Sequence, residues 1–331
     1  MKAIVQETYG APEVLHAAEV PRPEPGPHEV LVAVRAAAVN AADWHIMRGD
    51  PLVARLLSPA YFGRTGPKAR IRGRDFAGEV VAVGAEVTRF RVGDEVFGDL
   101  GGADGAFAEY VCAPAALMER KPMDLSFAQA AAIPLAGTTA LAGLRDAARV
   151  RPGQRVLING ASGGVGTFAV QLAKHFGAEV TGVCRTRNLD QTRSLGADHV
   201  IDYTERDFTR EPERYDVLFD LVGNHSLTAL RRALTPAGTV VLSGGGVSKG
   251  GSVIGPMGLM LKAQVLGRFV EQRVVILSTR PSSEHLAELR ELAGSGALVP
   301  VIDRTYPLEE VPEAIHYLET EHARAKVVVK L

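Results

Sequence analysis

The sequence predicts an α/β chain in which a doubly wound parallel sheet domain is joined to a separate β-rich domain. Three observations carry that expectation. From Arg155 onward short apolar runs alternate with segments of helical periodicity, the pattern of parallel strands joined by crossover helices. The run Val156-Leu157-Ile158-Asn159 stops at the turn Gly160-Ala161-Ser162-Gly163-Gly164-Val165-Gly166, and Thr167 to Phe176 then carries apolar residues at helical spacing, with Gly177 to end it. The first third, by contrast, is rich in strand-like runs set between glycine and proline turns.

The elements follow in order. Glu29 to Val39, Gly73 to Val83 and Glu95 to Phe97 read as strands, after a proline-dense connector at Pro21 to Pro27. Ser126 opens an Ala- and Leu-rich helical stretch that runs to Val150, with Gln129 placed to complete a capping box and Pro134 placed to kink or split the helix. Strands are expected at Arg155–Asn159, Glu179–Cys184, His199–Asp202, Asp216–Leu221 and Thr239–Ser243. Arg273 to Leu277 reads as an edge strand, free to pair with its symmetry mate in a homodimer. A helix over Leu308 to Glu319 and a strand over Lys326 to Leu331 close the chain. The sheet domain has no room for that last strand, so it is expected to rejoin the N-terminal domain.

Composition narrows the function classes. At 331 residues the chain is long enough for two full cores, and 46% hydrophobic with 23% charged residues is ordinary for a soluble globular protein. A net charge of −1 with interspersed signs gives no pull toward nucleic acid or membrane. No apolar run approaches the ~18 residues of a membrane helix, and Met1-Lys2-Ala3-Ile4-Val5 runs straight into a strand-like pattern, so a cytoplasmic protein is expected. Cys112 and Cys184 are too few for a disulfide framework.

A glycine-rich turn between a buried strand and a helix is an anion site. The helix start offers unpaired N–H groups and the positive end of its dipole, and glycines let the backbone approach a pyrophosphate. The dinucleotide is indicated by the end of the next strand. An NAD site carries an acidic residue there for the ribose 2′-OH. This chain has Arg185-Thr186-Arg187-Asn188, and its first carboxylate is Asp190. Two guanidiniums and a hydroxyl suit a 2′-phosphate, which points to NADP(H).

Val39-Asn40-Ala41-Ala42-Asp43-Trp44, Gly73-Arg74-Asp75-Phe76-Ala77-Gly78, Gly93-Asp94-Glu95-Val96, Ala136-Gly137-Thr138-Thr139-Ala140, the Gly160–Gly166 turn, Leu195-Gly196-Ala197-Asp198-His199-Val200-Ile201-Asp202-Tyr203 and His322-Ala323-Arg324-Ala325-Lys326-Val327-Val328 occur in one order. Together they resemble the medium-chain dehydrogenase/reductase superfamily. The zinc-free quinone oxidoreductase branch, with its reticulon-4-interacting-protein-like members, is the most similar, and the resemblance covers essentially the whole chain. It implies a GroES-like catalytic domain over residues 1–123, completed by residues from about 272 to 331, and a Rossmann dinucleotide-binding domain over 124–271. By family position Ser162, Gly163, Gly164 and Val165 would hold the pyrophosphate, and Thr138 would lie near the cofactor. Thr186, Arg187, Tyr203 and Lys326 would gather around the 2′-phosphate, with Arg185 beside them. Gly244 and Gly245 would line the nicotinamide end.

Zinc alcohol dehydrogenases of the superfamily carry a Cys at the position of Asn40 and a His-Glu pair at that of Asp75-Phe76. An amide and a phenyl ring cannot complete a zinc site, and no metal is expected. Without a Lewis acid, a quinone or a small α,β-unsaturated carbonyl is an easier acceptor than a simple ketone, because the charge after hydride addition spreads into an enolate. Asn40 has an amide N–H suited to the substrate oxygen. Many relatives place a Tyr where Trp44 stands. An indole does not exchange a proton usefully near neutral pH, which leaves Arg48, His45 or water as the acid. Met257-Gly258-Leu259-Met260-Leu261 and Phe269 would wall the pocket. Two other functions fit the same residues. An enoyl-thioester reductase of fatty-acid or polyketide synthesis would use the basic run Arg64, Lys68, Arg70, Arg72 and Arg74 for a phosphopantetheine or CoA arm. A non-catalytic NADPH-binding protein would share every nucleotide-site feature.

Overall fold

A computed structural model describes residues 1–50, 55–56, 62–63, 66–243, 271–321 and 323–331. The expectations for Arg64, Gly244, Gly245, Met257 to Leu261 and Phe269 lie outside these described residues. The chain divides into two compact units, one of residues 1–138 and 280–331 and the other of residues 139–279. The divisions thus fall at 138/139 and 279/280, displaced from the expected 123/124 and about 271/272. The helix Phe127–Ala131 packs on the strands Glu29–Val39 and Asp75–Val83 and so groups with the first unit. The strand Arg273–Ile276 pairs with Leu234–Leu242 and so groups with the second.

Among the described residues the second unit is built on six parallel strands. Their spatial order is His199–Asp202, Glu179–Cys184, Arg155–Asn159, Tyr215–Asp220, Leu234–Leu242, Arg273–Ile276. In chain order this is third, second, first, fourth, fifth and sixth, the Rossmann arrangement. These strands read as near-continuous apolar runs because both faces of a parallel sheet are covered, and Leu157, Val183, Leu218 and Val240 form its core. The helix after the first strand spans Gly164–His175, starting three residues before the expected Thr167. Gly163, extended at φ −80° and ψ 178°, takes the cap position, which draws Gly164, Val165 and Gly166 into the first turn. Gly177 ends it in the left-handed region, at φ +77°.

Among the described residues the first unit holds a seven-stranded sheet whose spine is the 11-residue strand Glu29–Val39. Asp75–Val83 pairs along most of its length, with Ala38 opposite Asp75. On the other side Tyr110–Pro114 covers its first half and the closing strand Lys326–Lys330 its second half, with Val327 opposite Val39. The last strand therefore rejoins the N-terminal part of the chain, as its sequence position requires. Ser126 and Gln129 form the expected reciprocal cap, with Gln129 N–H on Ser126 Oγ at 3.2 Å and Ser126 N–H on Gln129 Oε1 at 3.0 Å. The helical stretch is split, Phe127–Ala131 then Pro134–Leu141, where the proline ring removes a donor. Among the described residues no helix is long and apolar enough to cross a membrane.

Candidate functional site

In the second unit the turn after Arg155–Asn159 is fixed from both sides. Gly160 and Ala161 each donate a backbone N–H to Val183 O, at 3.1 and 3.0 Å. Gly160 sits at φ +90°, a conformation that favours glycine. A Cβ at Gly166 would lie 2.1 Å from Gly160 O and 2.7 Å from Ala161 C and O, so glycine is what allows the helix to start against the turn. At the same strand edge Asn159 Nδ2 donates to Asp220 Oδ1 at 2.8 Å, and Asp220 Oδ1 also accepts from the N–H groups of Val222 and Gly223. The result is a rigid floor below a 12-residue helix whose first N–H groups have no partner within the helix. Unpaired N–H groups at a helix start are the donors a pyrophosphate would need.

Arg185, Thr186 and Arg187 follow the next strand and are exposed, with the exposed Tyr203 just past the end of the strand beside it. Tyr203 donates its N–H to Cys184 O at 3.2 Å, which ties the two strand ends together. Asp202 is engaged by Thr186 and Thr204, and these hydroxyls hold its carboxyl below the usual carboxylate range. A residue without an assigned role in the sequence reading is Asn188. It is buried, and its Nδ2 donates to Ser162 Oγ at 2.9 Å. Ser162 is thereby left free to direct its own proton outward.

In the first unit the sheet register brings three polar side chains together. Asn40 follows the spine strand, Asp75 opens the next strand and Lys326 opens the last. Asn40 Nδ2 donates to Asp75 Oδ2 at 3.0 Å and to Ala38 O at 3.2 Å, and Asn40 Oδ1 accepts from Lys326 Nζ at 2.5 Å. Asp75 Oδ1 accepts from Leu135 N–H at 3.1 Å. Asp75 is fully buried and its carboxyl is pushed up to about 6, chiefly by desolvation and against the pull of Lys326. Thr138, in the helix Pro134–Leu141, is also buried.

Four sequence expectations are corrected here. Lys326 is not available to a 2′-phosphate, because its side chain is 2% exposed and its ammonium is spent on Asn40 and Asp75. Asn40 has no spare amide hydrogen for a substrate oxygen, since both have acceptors. Trp44 packs in the core of the first unit, stacked on His45 at 3.6 Å. Arg48 is held bidentate by Glu319, at 2.7 and 2.9 Å. Within the basic run Arg70 pairs with Glu7 at the surface, and the buried Arg72 and partly buried Arg74 pair with Asp104 and Asp99, while Lys68 is exposed. His45 offers little acid, because burial pushes its ring below the usual histidine range.

Asp43 adds a pH prediction. It is fully buried, accepts Asn40 N–H at 2.7 Å, and burial with Asp104 and Asp75 nearby pushes its carboxyl up to about 8. Between its unfolded value of 3.8 and about 8 the folded chain keeps a proton that the unfolded chain loses. Stability therefore falls as pH rises through that window and is flat above it. Asp43→Asn cannot ionise, so it is expected to gain on the wild type across the window, by on the order of a few kcal/mol at its upper end. Thermal unfolding of both proteins across the pH range checks this, and an advantage that does not grow with pH would contradict it.

Among the described residues no three metal-ligating side chains converge. Asn40, Asp75 and an ammonium do not make a zinc donor set. Two family descriptions match the chain, alcohol dehydrogenase GroES-like domain over residues 26–123 and zinc-binding dehydrogenase over residues 195–329. The chain is 36% identical to a 2-methylene-furan-3-one reductase of Solanum lycopersicum, over 99% of this chain and 79% of that one. It is 34% identical to a chloroplastic NADPH-dependent alkenal/one oxidoreductase of Arabidopsis thaliana, with the same coverage. The solved quinone oxidoreductase of Coxiella burnetii superposes with a TM-score of 0.86 at 33% identity, covering 100% of this chain and 99% of that one.

Proposed function

We propose that this chain, which belongs to the quinone-oxidoreductase-like branch of the medium-chain dehydrogenase/reductase superfamily, reduces a quinone or a small α,β-unsaturated carbonyl with NADPH and without zinc. The observation that carries this reading is the pairing of a rigid glycine cradle with a basic strand end one strand over. When bound, the nicotinamide supplies the hydride. Ser162, Gly163, Gly164 and Val165 hold the pyrophosphate, with Ser162 steered by Asn188. Arg185, Thr186, Arg187 and Tyr203 hold the 2′-phosphate. Thr138, Gly244 and Gly245 remain assigned to the cofactor by family position. The names of the two plant relatives support an activated alkene as acceptor. No side chain among these is poised as an acid, since Trp44 is core, Arg48 is paired and burial pushes the His45 ring below the usual histidine range, so water protonates the enolate. The ion pairs of Arg72 with Asp104 and of Arg74 with Asp99 leave two of the run's guanidiniums unsuited to a CoA or carrier-protein arm. We assign the protein to the cytoplasm, as a homodimer paired through the strand Arg273–Ile276, which ends the described sheet order.

The test is oxidation of NADPH and NADH with an alkyl enone, a 2-alkenal, a quinone, crotonyl-CoA and an alcohol/ketone pair, each with and without EDTA. EDTA-resistant NADPH consumption with enone, enal or quinone is the expected result. Turnover confined to the alcohol/ketone pair and lost in EDTA would overturn the reading, and tight NADPH binding without turnover would favour the non-catalytic one.

A further inference from the structure

A carboxylate taken out of water needs a cation, and here the chain supplies one covalently. Asp75 is fully buried, and Lys326 Nζ lies 3.6 Å from its Oδ2. The same ammonium donates to Asn40 Oδ1 at 2.5 Å and reaches toward Val39 O at 3.5 Å. An amide oxygen, a carboxylate and a backbone carbonyl around one positive centre are the donors of a hard-cation site, with the cation tethered to the main chain. Sheet register builds this site: Val327 opposite Val39 and Ala38 opposite Asp75 bring the three strand ends together.

We propose that the Lys326 ammonium is the resident cation of this site. It takes the place that a metal ion would need between Asn40 and Asp75, excludes metal from it, and positions the Asn40 carboxamide. The amide can face only one way. Turned over, its NH2 would meet the ammonium and its oxygen would meet the Asp75 carboxylate, so donor would face donor and acceptor would face acceptor. One family description is zinc-binding, yet among the described residues no metal donor set converges, and between Asn40 and Asp75 stands a lysine from the first position of the closing strand. Lys326 is a positioning residue, acting through Asn40. Its occupation of the site does not rest on the function proposed above.

The experiment uses the full chain as wild type, Lys326→Met and Lys326→Met/Asp75→Asn. Zinc is measured by mass spectrometry before and after incubation with Zn2+ and dialysis. NADPH and NADH dissociation constants and Tm are then compared. The wild type is expected to hold well below one equivalent of zinc throughout. Lys326→Met is expected to lose Tm while both dissociation constants stay at wild-type values, and the uncharged double variant is expected to regain Tm. A full equivalent of zinc in the wild type would overturn the proposal. So would a loss confined to NADPH affinity, which would return Lys326 to the 2′-phosphate. If the wild type reduces no acceptor, the proposed function fails on its own. Zinc content and the Tm of the two variants then still decide the cation, and Lys326→Met as stable as wild type would refute it.

Discussion

Gly166→Ala is expected to destabilise the chain and abolish tight NADPH binding together, whereas Gly163→Ala is expected to weaken NADPH binding alone. The two glycines lie three residues apart in one turn, yet a methyl group meets different surroundings at each. At Gly166 the added Cβ would sit 2.1 Å from Gly160 O and 2.7 Å from Ala161 C and O. These are backbone atoms, and two hydrogen bonds to Val183 O together with the positive φ of Gly160 leave them no room to retreat. Overpacking of this kind costs about 1–3 kcal/mol or more, a loss in Tm on the order of 5 °C. At Gly163 φ is −80° and the nearest atom to an added Cβ is Gly160 O at 3.4 Å, an ordinary contact. Alanine is therefore accommodated by the fold, and at the helix N-cap the added methyl group would compete with a pyrophosphate for close approach to the backbone. Thermal unfolding and NADPH fluorescence titration of both variants separate the effects. A Gly166→Ala protein with wild-type Tm would show that the helix can back away from the turn, and the close-approach argument would fall.

Much of the fold was legible because it rests on local rules. Hydrophobic periodicity located Arg155–Asn159, Glu179–Cys184 and His199–Asp202, and the Ser126/Gln129 pair announced its cap before the helix it starts. The closing strand was assigned to the first unit by elimination, and register with Val39 places it there. What local rules could not reach is what a long side chain touches. Lys326, Arg48, Arg72 and Arg74 all read as solvent-facing or ligand-facing cations, since lysine and arginine are almost never buried unless paired. Their partners, Asp75, Glu319, Asp104 and Asp99, lie 25 to 271 positions away in sequence, too far for any spacing rule. Trp44 failed for the opposite reason: a family position suggested a pocket, and amphipathic helix packing took the indole into the core. The one signal that could have flagged the buried network is Asp43, an acid placed to close the cap of its own helix on Asn40 N–H.

Replacing both Arg185 and Arg187 by alanine is expected to produce the largest change in cofactor preference. Each charge-assisted hydrogen bond to a phosphate contributes about 1.5–3 kcal/mol, or roughly tenfold to a hundredfold in affinity. NADH lacks the 2′-phosphate, so its binding should be unchanged, and the NADPH-to-NADH affinity ratio should fall by on the order of 10²–10³ in the double variant. The location of the two residues makes this a clean measurement. Both are exposed on the short segment after the strand Glu179–Cys184, while Asn188, next in sequence, is buried and anchors the segment to Ser162. Truncating the arginines therefore removes charge without removing the anchor. The NADPH affinity of the wild type should also fall with added salt, and the double variant should lose most of that dependence. Equal losses for NADPH and NADH would mean that the arginines shape the turn instead of reading the phosphate. The carboxylate of Asp202, already engaged by Thr186 and Thr204 at the neighbouring strand end, would then be the group to test against the ribose.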